Sequence, residues 1–207
     1  MNAAEIVPAD TRYVPLQQQP YLCCPTSLQI VMLRHHIPLI PAELLGHHLG
    51  LVVREEDSGH FYNARTAAAE PEDGYGTHVN SARGDVNTVF EKLSIPLRME
   101  IIKAADIGTA QDFADKIAAA LDAELDVLLC IRWRDVIDED TSVEPVDLHV
   151  GHIVIVDRME GETIRLIDCA RGKKWKTYKT DYLFNAMKAH EGKPAAGIWI
   201  ITKKEIV

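Results

Sequence analysis

The sequence lacks long apolar runs, an excess of positive charge and paired-cysteine motifs, and each absence excludes a class of protein. Its longest apolar stretches, such as VLLCI and GIWII, are far shorter than the roughly 20 residues of a membrane-spanning helix. Acidic residues outnumber basic ones by 31 to 22, which gives a net charge of −9. Because nucleic acids and anionic membranes bind clustered positive charge, we expect neither as a partner.

Cysteine and histidine do not occur in the spacings that typically bind metals. The four cysteines include no pair separated by two residues, and the neighbouring Cys23 and Cys24 cannot form a disulfide without strain. Two histidine doublets, at 35–36 and 47–48, are weak metal candidates, because neighbouring helical side chains point about 100° apart. We therefore expect no metal site and no disulfide framework.

The N-terminal segment lacks the features of an export signal. The stretch MNAAEIVPADTRYVP has neither the basic start nor the apolar segment of a signal peptide, which favours a cytoplasmic location. Residues 1–12 are predicted to be a loose leader. We expect one domain over residues 13–207, because a chain of 207 residues that is 47% hydrophobic can bury a core of its own. Within that domain, a polar and weakly periodic stretch at about 54–83 predicts a long surface loop.

Helical periodicity dominates the first half of the chain, and strand-like patterns dominate the second half. Apolar residues recur at helical spacing after Pro25, near 41–49, after Gly84 and around Phe113. Later segments are typical of strands: DVLLCIRW, HIVIVD, TIRLID, KWKTY and GIWIITK. This order predicts an α+β domain in which N-terminal helices pack on a C-terminal antiparallel sheet, and not a doubly wound fold. Because Trp175 alternates with them, the nearby basic residues are expected on the exposed side of a strand: Arg171, Lys173, Lys174, Lys176 and Lys179.

The segment QQQPYLCCPTSL carries the first candidate for chemistry. A thiol at a helix start lies at the positive end of the helix dipole, which lowers the pKa of the thiol and favours the reactive thiolate. A glutamine a few residues upstream can direct its amide towards the same point and contribute to an oxyanion hole. With Pro25 at the first helical position, Cys24 is the N-cap and Cys23 precedes it. The alternative interpretation is that the two cysteines are small buried hydrophobic residues beside a polar loop.

The segment GHIVIVDRMEGETIRLIDCARG carries the second candidate. Two short apolar strands flank the five-residue loop RMEGE, which is suited to a β-hairpin. If Asp157 pairs with Thr163, antiparallel register places His152 directly opposite Asp168 on the same face of the sheet. A carboxylate beside an imidazole fixes the tautomer of the ring and raises its basicity, as a general base requires.

Together these segments resemble the papain-like cysteine peptidases, most closely the branch that removes bacteriocin leader peptides (family thirty-nine of the cysteine peptidases). Gln17 lies six residues before Cys23, a proline follows two residues after it, and a Gly-His strand with a later aspartate completes the order. The resemblance extends over residues 13–202. This chain departs from the family motif at two positions. The family usually has glycine where this chain has Cys24, and proline where this chain has Cys169.

The resemblance implies a papain-like fold and a thiol hydrolase that cleaves a peptide or other amide bond. It also implies four roles. They are nucleophile for Cys23, general base and acid for His152, orientation of that histidine for Asp168, and oxyanion stabilisation for Gln17. The substrate is then a peptide or protein, and the reaction needs no cofactor.

Two assignments and two further activities stay open at this stage. Helix geometry favours Cys24 as the nucleophile, whereas the spacing to Pro25 in the resembled motif favours Cys23. The choice of glutamine follows the choice of cysteine, because Gln17 and Gln18 lie six residues before the first and the second cysteine. An acyltransferase would use the same acyl-enzyme with a different acceptor, and a catalytically silent domain would only bind its partner. The sequence determines neither cleavage specificity nor oligomeric state.

Overall fold

Apolar strands form the centre of the fold. A computed structural model describes residues 7–71, 74–81, 84–136, 150–170 and 172–204. The helices are α1 (Cys23–Arg34), α2 (Ala42–His48), α3 (Val86–Lys92), α4 (Ala110–Asp122) and α5 (Thr180–Lys188). The strands are β1 (Val52–Arg54), β2 (Arg65–Ala67), β3 (Leu97–Lys103), β4 (Asp126–Arg132), β5 (Gly151–Glu160), β6 (Thr163–Ile167), β7 (Trp175–Lys179) and β8 (Gly197–Lys203).

Six strands build one sheet in the order β3-β8-β4-β5-β6-β7. Each neighbouring pair in this sheet is antiparallel. Helix α1 packs on one face, against β5, while α4 and α5 cover the other face. The predicted α+β class with an antiparallel sheet is therefore confirmed. One difference is that helices cover both faces, because α5 follows β7 and returns across the side opposite α1.

Strand β4 is buried along almost its whole length because it has helices on both sides. Leu128 and Cys130 belong to the apolar core beneath α1, whereas Leu129 and Ile131 belong to the core beneath α4 and α5. This division follows from the period of two along a strand. Of the candidate site residues, Cys23 lies on α1, and His152 is paired with Ile131 at the end of β4.

Helix α1 begins two residues earlier than the sequence predicts. It starts at Cys23, preceded by Leu22 in a non-helical conformation with φ −108°, so Pro25 is the third helical residue and not the first. The proline is tolerated there because the first four N–H groups of a helix have no partner within the helix. Both cysteines consequently lie in the first turn, and Cys24 is not the N-cap.

The hairpin between β5 and β6 has a shorter turn than predicted. β5 extends to Glu160, which pairs with Thr163, so Gly161 and Glu162 form a two-residue turn, with Gly161 at φ 56°. The expected pairing of Asp157 with Thr163 is wrong, because the shorter turn pairs Thr163 with Glu160. Further along the hairpin, the register shifts between Val156 and Arg158.

Beyond this shift, Val156 pairs with Leu166 and Ile155 with Ile167. Continued by one residue, this register sets Asp168 opposite Val154, so His152 is its diagonal neighbour and not its direct partner. Diagonal neighbours on one face of a sheet are still within reach of side chains of this length.

The stretch predicted as a long surface loop contains short elements that pack beside α1. A 3-10 helix spans Glu55–His60, and β2 pairs with β1 in parallel. Leu22, Leu51 and Val53 form a small buried cluster with the ring of Phe61 against it. These apolar side chains, spaced too irregularly to indicate an element, attach the stretch to the residue that precedes Cys23.

The end of the N-terminal segment is attached to the sheet. Asp10 forms ion pairs with Arg158 and Arg165, and the Thr11 hydroxyl donates to Asp157 at 2.7 Å. Arg12 donates to the carbonyl of Leu125 at 3.0 Å. Residues 1–6 of the predicted leader lie outside the described part of the chain, and residues 10–12 are not loose.

The basic residues around Trp175 do not share one exposed surface. Lys173 and Lys179 are exposed and Lys174 is half-buried, whereas Lys176 is only 7% exposed. The prediction for Lys176 is therefore wrong. Arg171 lies outside the described residues.

The histidine doublets have protein partners. His35 bonds Asp126 at 2.6 Å, and His47 bonds the carbonyl of Asn63 at 3.1 Å. Within the described ranges, no three histidine, cysteine or acidic residues are grouped so that they could hold a metal ion. None of the described helices has the length and apolarity to cross a bilayer.

Candidate active site

The first turn of α1 meets the start of β5, and this contact brings Cys23 to His152. Ser27, one turn further along α1, donates to the carbonyl of Ile153 at 3.3 Å. The imidazole of His152 is 1% exposed and hydrogen-bonds the thiol of Cys23, which is half-buried. Cysteine and histidine from distant parts of the chain are thus in direct contact.

Asp168 follows β6 and accepts hydrogen bonds on both carboxylate oxygens. Its Oδ1 lies 2.7 Å from Nε2 of His152 and 2.9 Å from the amide of Ala170. Its Oδ2 accepts from the ammonium of Lys176 at 2.8 Å. Because Nε2 of His152 faces Asp168, the other ring nitrogen, Nδ1, is the one that can exchange a proton with Cys23.

Charge interactions among Cys23, His152 and Asp168 favour a thiolate and an imidazolium. Burial disfavours the imidazolium, but the Asp168 carboxylate and the bond to Cys23 outweigh it and raise the pKa of His152 to about 10. Burial also raises the pKa of the Cys23 thiol, yet the hydrogen bond and charge of His152 outweigh it and hold that pKa below its ordinary value. Burial disfavours the Asp168 carboxylate as well, and His152 and Lys176 together lower its pKa. The arrangement can therefore supply a nucleophilic sulfur at neutral pH.

Cys24 has the opposite character although it is the next residue. Its side chain is fully buried, and burial with the neighbouring sulfurs of Cys23, Cys130 and Cys169 raises its pKa well above the ordinary value. A buried neutral thiol behaves as a small apolar side chain. Position in the helix does not distinguish the two cysteines, because both lie in its first turn. They differ in their surroundings, since Cys23 contacts His152 and Cys24 lies in the apolar core.

Trp133 covers the histidine, and sequence reasoning missed it. The two rings are stacked, with centroids 5.2 Å apart and planes at 26°. Trp133 begins the 3-10 helix Trp133–Val136 directly after β4, and its amide donates to the carbonyl of Val150 at 3.0 Å. The available signal was its place at the end of the strand that pairs with the start of β5.

Lys176 is the second residue that sequence reasoning missed. It pairs with Leu166 across β6 and β7, and side chains that are paired or two residues apart share one face of a sheet. Lys176 consequently shares a face with Asp168. The alternation with Trp175 was real, but the lysine side of the strand faces inward at this position.

The two candidate glutamines occupy different positions. The amide nitrogen of Gln17 donates to the carbonyl of Cys169 at 3.3 Å, and its oxygen accepts from Lys174 at 2.6 Å. The oxygen of Gln18 accepts from the thiol of Cys169 at 2.9 Å. That same thiol lies 3.6 Å from the carbonyl oxygen of Cys23. The structure thus brings together Cys23, His152 and Asp168, and it directs the Gln17 side chain towards the connection after Asp168.

Comparison with known proteins supports the fold. No family model and no curated protein matches the chain. Among solved structures, it is similar to a Bacillus anthracis protein described as a C39-like peptidase, with a TM-score of 0.56 over 93% of this chain and 96% of the other. The two sequences are 15% identical, so the similarity concerns the fold. The chain therefore has the papain-like fold of the C39-like peptidase, as the sequence resemblance implied.

Proposed function

We propose that this protein is a thiol hydrolase that cleaves a peptide or other amide bond through an acyl-enzyme on Cys23. The observation that carries the proposal is the continuous hydrogen-bonded row from Cys23 through His152 to Asp168. A lone buried histidine is unremarkable, but a thiol with lowered pKa on one ring nitrogen and a carboxylate on the other is the arrangement that activates a nucleophile.

The reaction proceeds in two halves. The Cys23 thiolate attacks the carbonyl carbon, and the carbonyl electron pair moves to oxygen to form a tetrahedral oxyanion. This intermediate collapses as the imidazolium of His152 protonates the leaving amine, which gives the acyl-enzyme. His152 then removes a proton from water, the hydroxide displaces the Cys23 sulfur, and the acid is released. Asp168 holds the ring in the orientation and tautomer that both halves need.

A glutamine amide and a main-chain N–H stabilise the oxyanion in this proposal. Family spacing supports Gln17 as the donor. The geometry supports Gln18, because its oxygen is held by Cys169 beside Cys23, while the Gln17 nitrogen already donates to main-chain carbonyls. Parallel assays of Gln17→Ala and Gln18→Ala assign the donor, because loss of an oxyanion-hole donor lowers kcat by about 10²–10³-fold.

The decisive experiment compares the two adjacent cysteines. Under reducing conditions, a thiol-directed epoxide inhibitor should modify the wild-type protein at Cys23, as located by peptide mapping. Cys23→Ala should abolish that adduct and lower hydrolysis of a peptide library by about 10⁴-fold or more. The matched control Cys24→Ala should retain most of both, because this thiol is buried and neutral.

Other outcomes of the same assay identify the alternatives. An adduct on Cys24 would contradict the assignment of the nucleophile. An adduct on Cys23 without hydrolysis, but with product formed on adding an amine acceptor, would indicate an acyltransferase. No adduct and no turnover in a folded protein would indicate a silent binding domain.

A further inference from the structure

A buried lysine lies behind the candidate triad. Lys176 is 7% exposed, and its ammonium donates to Oδ2 of Asp168 at 2.8 Å and to the carbonyl of Val136 at 2.9 Å. Burying an ammonium is unfavourable unless it is paired and hydrogen-bonded. A lysine kept in such a place on a strand that has exposed positions on its other side therefore calls for a physical reason.

The two hydrogen bonds of Lys176 connect it to the two groups that contact His152, namely Asp168 and the turn that begins with Trp133. Through Oδ2 the ammonium restricts rotation of the Asp168 carboxylate, which leaves Oδ1 directed at Nε2 of His152. Through Val136 it holds the end of the 3-10 helix Trp133–Val136, whose first residue stacks on the imidazole. One ammonium thus links the carboxylate that orients the ring to the turn that covers it.

We propose that Lys176 is a positioning residue for catalysis, which acts through Asp168 and the Trp133 turn to hold His152 in its reactive orientation. This inference rests on the proposed function. Lys176 is separated from Cys23 by the Asp168 and His152 side chains, so it acts through them and does not contact substrate. Its removal should accordingly affect the chemical step and not substrate binding.

Among the described residues, charged and titratable groups reach the Cys23–His152–Asp168 row from several elements. They include Cys23 and Cys24 from α1, Cys130 from β4, His152 from β5, Asp168 and Cys169 after β6, and Lys176 with Tyr178 from β7. Tyr178 donates to the same carbonyl of Val136 at 3.2 Å. Loss of the Lys176 charge by itself raises the pKa of both the thiol and the imidazolium, whereas a misoriented Asp168 lowers the pKa of the imidazolium. A fall in kcat at constant KM is therefore the result that reports the orientation of Asp168.

The test compares Lys176→Met with the matched control Lys179→Met, which removes an exposed lysine of the same strand. The rate of Cys23 alkylation by iodoacetamide is measured against pH, together with kcat and KM for hydrolysis. In Lys176→Met the acid limb of alkylation should move up by about one pH unit, the scale of one charge-assisted hydrogen bond. kcat should fall by about tenfold at nearly constant KM, and Lys179→Met should match wild type.

A second variant and a second measurement cover the case in which Lys176→Met fails to fold. Lys176→Arg keeps the positive charge and the hydrogen-bond donors, so the acid limb of Cys23 alkylation should stay at its wild-type pH. In wild-type protein alkylated at Cys23, the ¹⁵N signal of the Lys176 ammonium should shift with the same midpoint as the His152 ring.

Opposite results separate the two hypotheses. An unchanged alkylation profile and kcat in folded Lys176→Met, or an ammonium signal that ignores His152, would overturn the role of Lys176. Normal thiolate alkylation without hydrolysis of any peptide would instead sink the proposed hydrolase, while the alkylation profile still tests Lys176.

Discussion

At the scale of single residues, the neighbouring groups distinguish two chemically identical side chains. Cys23 and Cys24 both lie in the first turn of α1 and both experience its dipole. Cys23 contacts His152, whereas Cys24 faces the apolar core. Their thiols consequently have pKa values displaced in opposite directions. The lowered pKa of Cys23 therefore comes from its neighbour on β5 and not from its place in the helix.

The rate of hydrolysis should be bell-shaped in pH. The pKa of Cys23 is lowered, so activity rises with pH as the thiolate forms, and it falls as pH passes the pKa of His152, raised to about 10. Both limbs belong to the coupled pair and not to either residue. The measurement is kcat/KM between about pH 4 and 11.

In Asp168→Asn the alkaline limb should move to lower pH, because the carboxylate that stabilises the imidazolium is gone. An alkaline limb unchanged by this variant would contradict the assigned role of Asp168.

At the scale of elements, the glycine before the histidine has a packing reason. A Cβ at Gly151 would lie 2.3 Å from Nε2 and 3.0 Å from Cε1 of His190. His190 is 8% exposed and follows α5 on the far side of the sheet. A side chain at position 151 would therefore have to displace the buried His190 ring, which favours glycine beside His152.

Gly151→Ala should destabilise the protein by about 1–3 kcal/mol, the range for overpacking a closed site. Activity should fall as well, because the displaced strand carries His152. In the double variant Gly151→Ala with His190→Ala, the loss of stability should be smaller than the sum of the two single losses. The measurement is urea unfolding of the wild type, the two single variants and the double variant, which together form a double-mutant cycle. Strict additivity would show that the two residues do not compete for the same space.

At the scale of the whole molecule, buried acidic groups join distant segments. Asp126, fully buried at the start of β4, accepts from Tyr13 at 2.7 Å and from Arg34 and His35 at the end of α1. The N-terminal segment, α1 and the sheet are therefore tied together by one carboxylate. Breaking such a buried pair from one side leaves an uncompensated charge and is strongly destabilising.

Stability should decline with acid in two stages. Burial and nearby positive charge lower the pKa of His190 to about 4, below the ordinary value near 6.5, so the unfolded chain takes up its proton first. Its contribution, about 1–3 kcal/mol, is complete above pH 6.5 and is lost towards pH 4. The carboxylates of Asp126 and Asp168 also have lowered pKa values, and their contribution is lost below about pH 4.

The measurement is the free energy of unfolding in urea as a function of pH. His190→Gln should remove most of the decline between pH 6.5 and 4 and leave the lower stage intact, with a small remainder from His48, whose pKa burial and Lys92 also lower. The exposed His60 serves as a control, since His60→Gln should leave both stages unchanged. A decline that persists in His190→Gln would assign the upper stage to another group.

Local features of the sequence determined the types of element and the candidate site residues. Apolar periodicity depends on near neighbours, so the helices, the strands and the α+β class followed from it. The hairpin pattern indicated His152 and Asp168, and the spacing in the resembled family motif indicated Cys23. The bounds of α1 and the hairpin register did not follow, because Pro25 is tolerated anywhere in the first turn and the shift near Asp157 leaves no mark in the alternation.

Only the tertiary structure decided which side chains face one another. The separation of Cys23 from Cys24, the stacking of Trp133 on His152 and the inward position of Lys176 depend on contacts between segments far apart in the chain. The physical reason is the set of neighbours that folding brings to a buried group. Contact with His152 reverses the sign of the pKa shift of Cys23, and contact with Asp168 turns Lys176 from a solvated charge into an internal hydrogen-bond donor. These contacts arise only when the sheet and its helices have closed over the site.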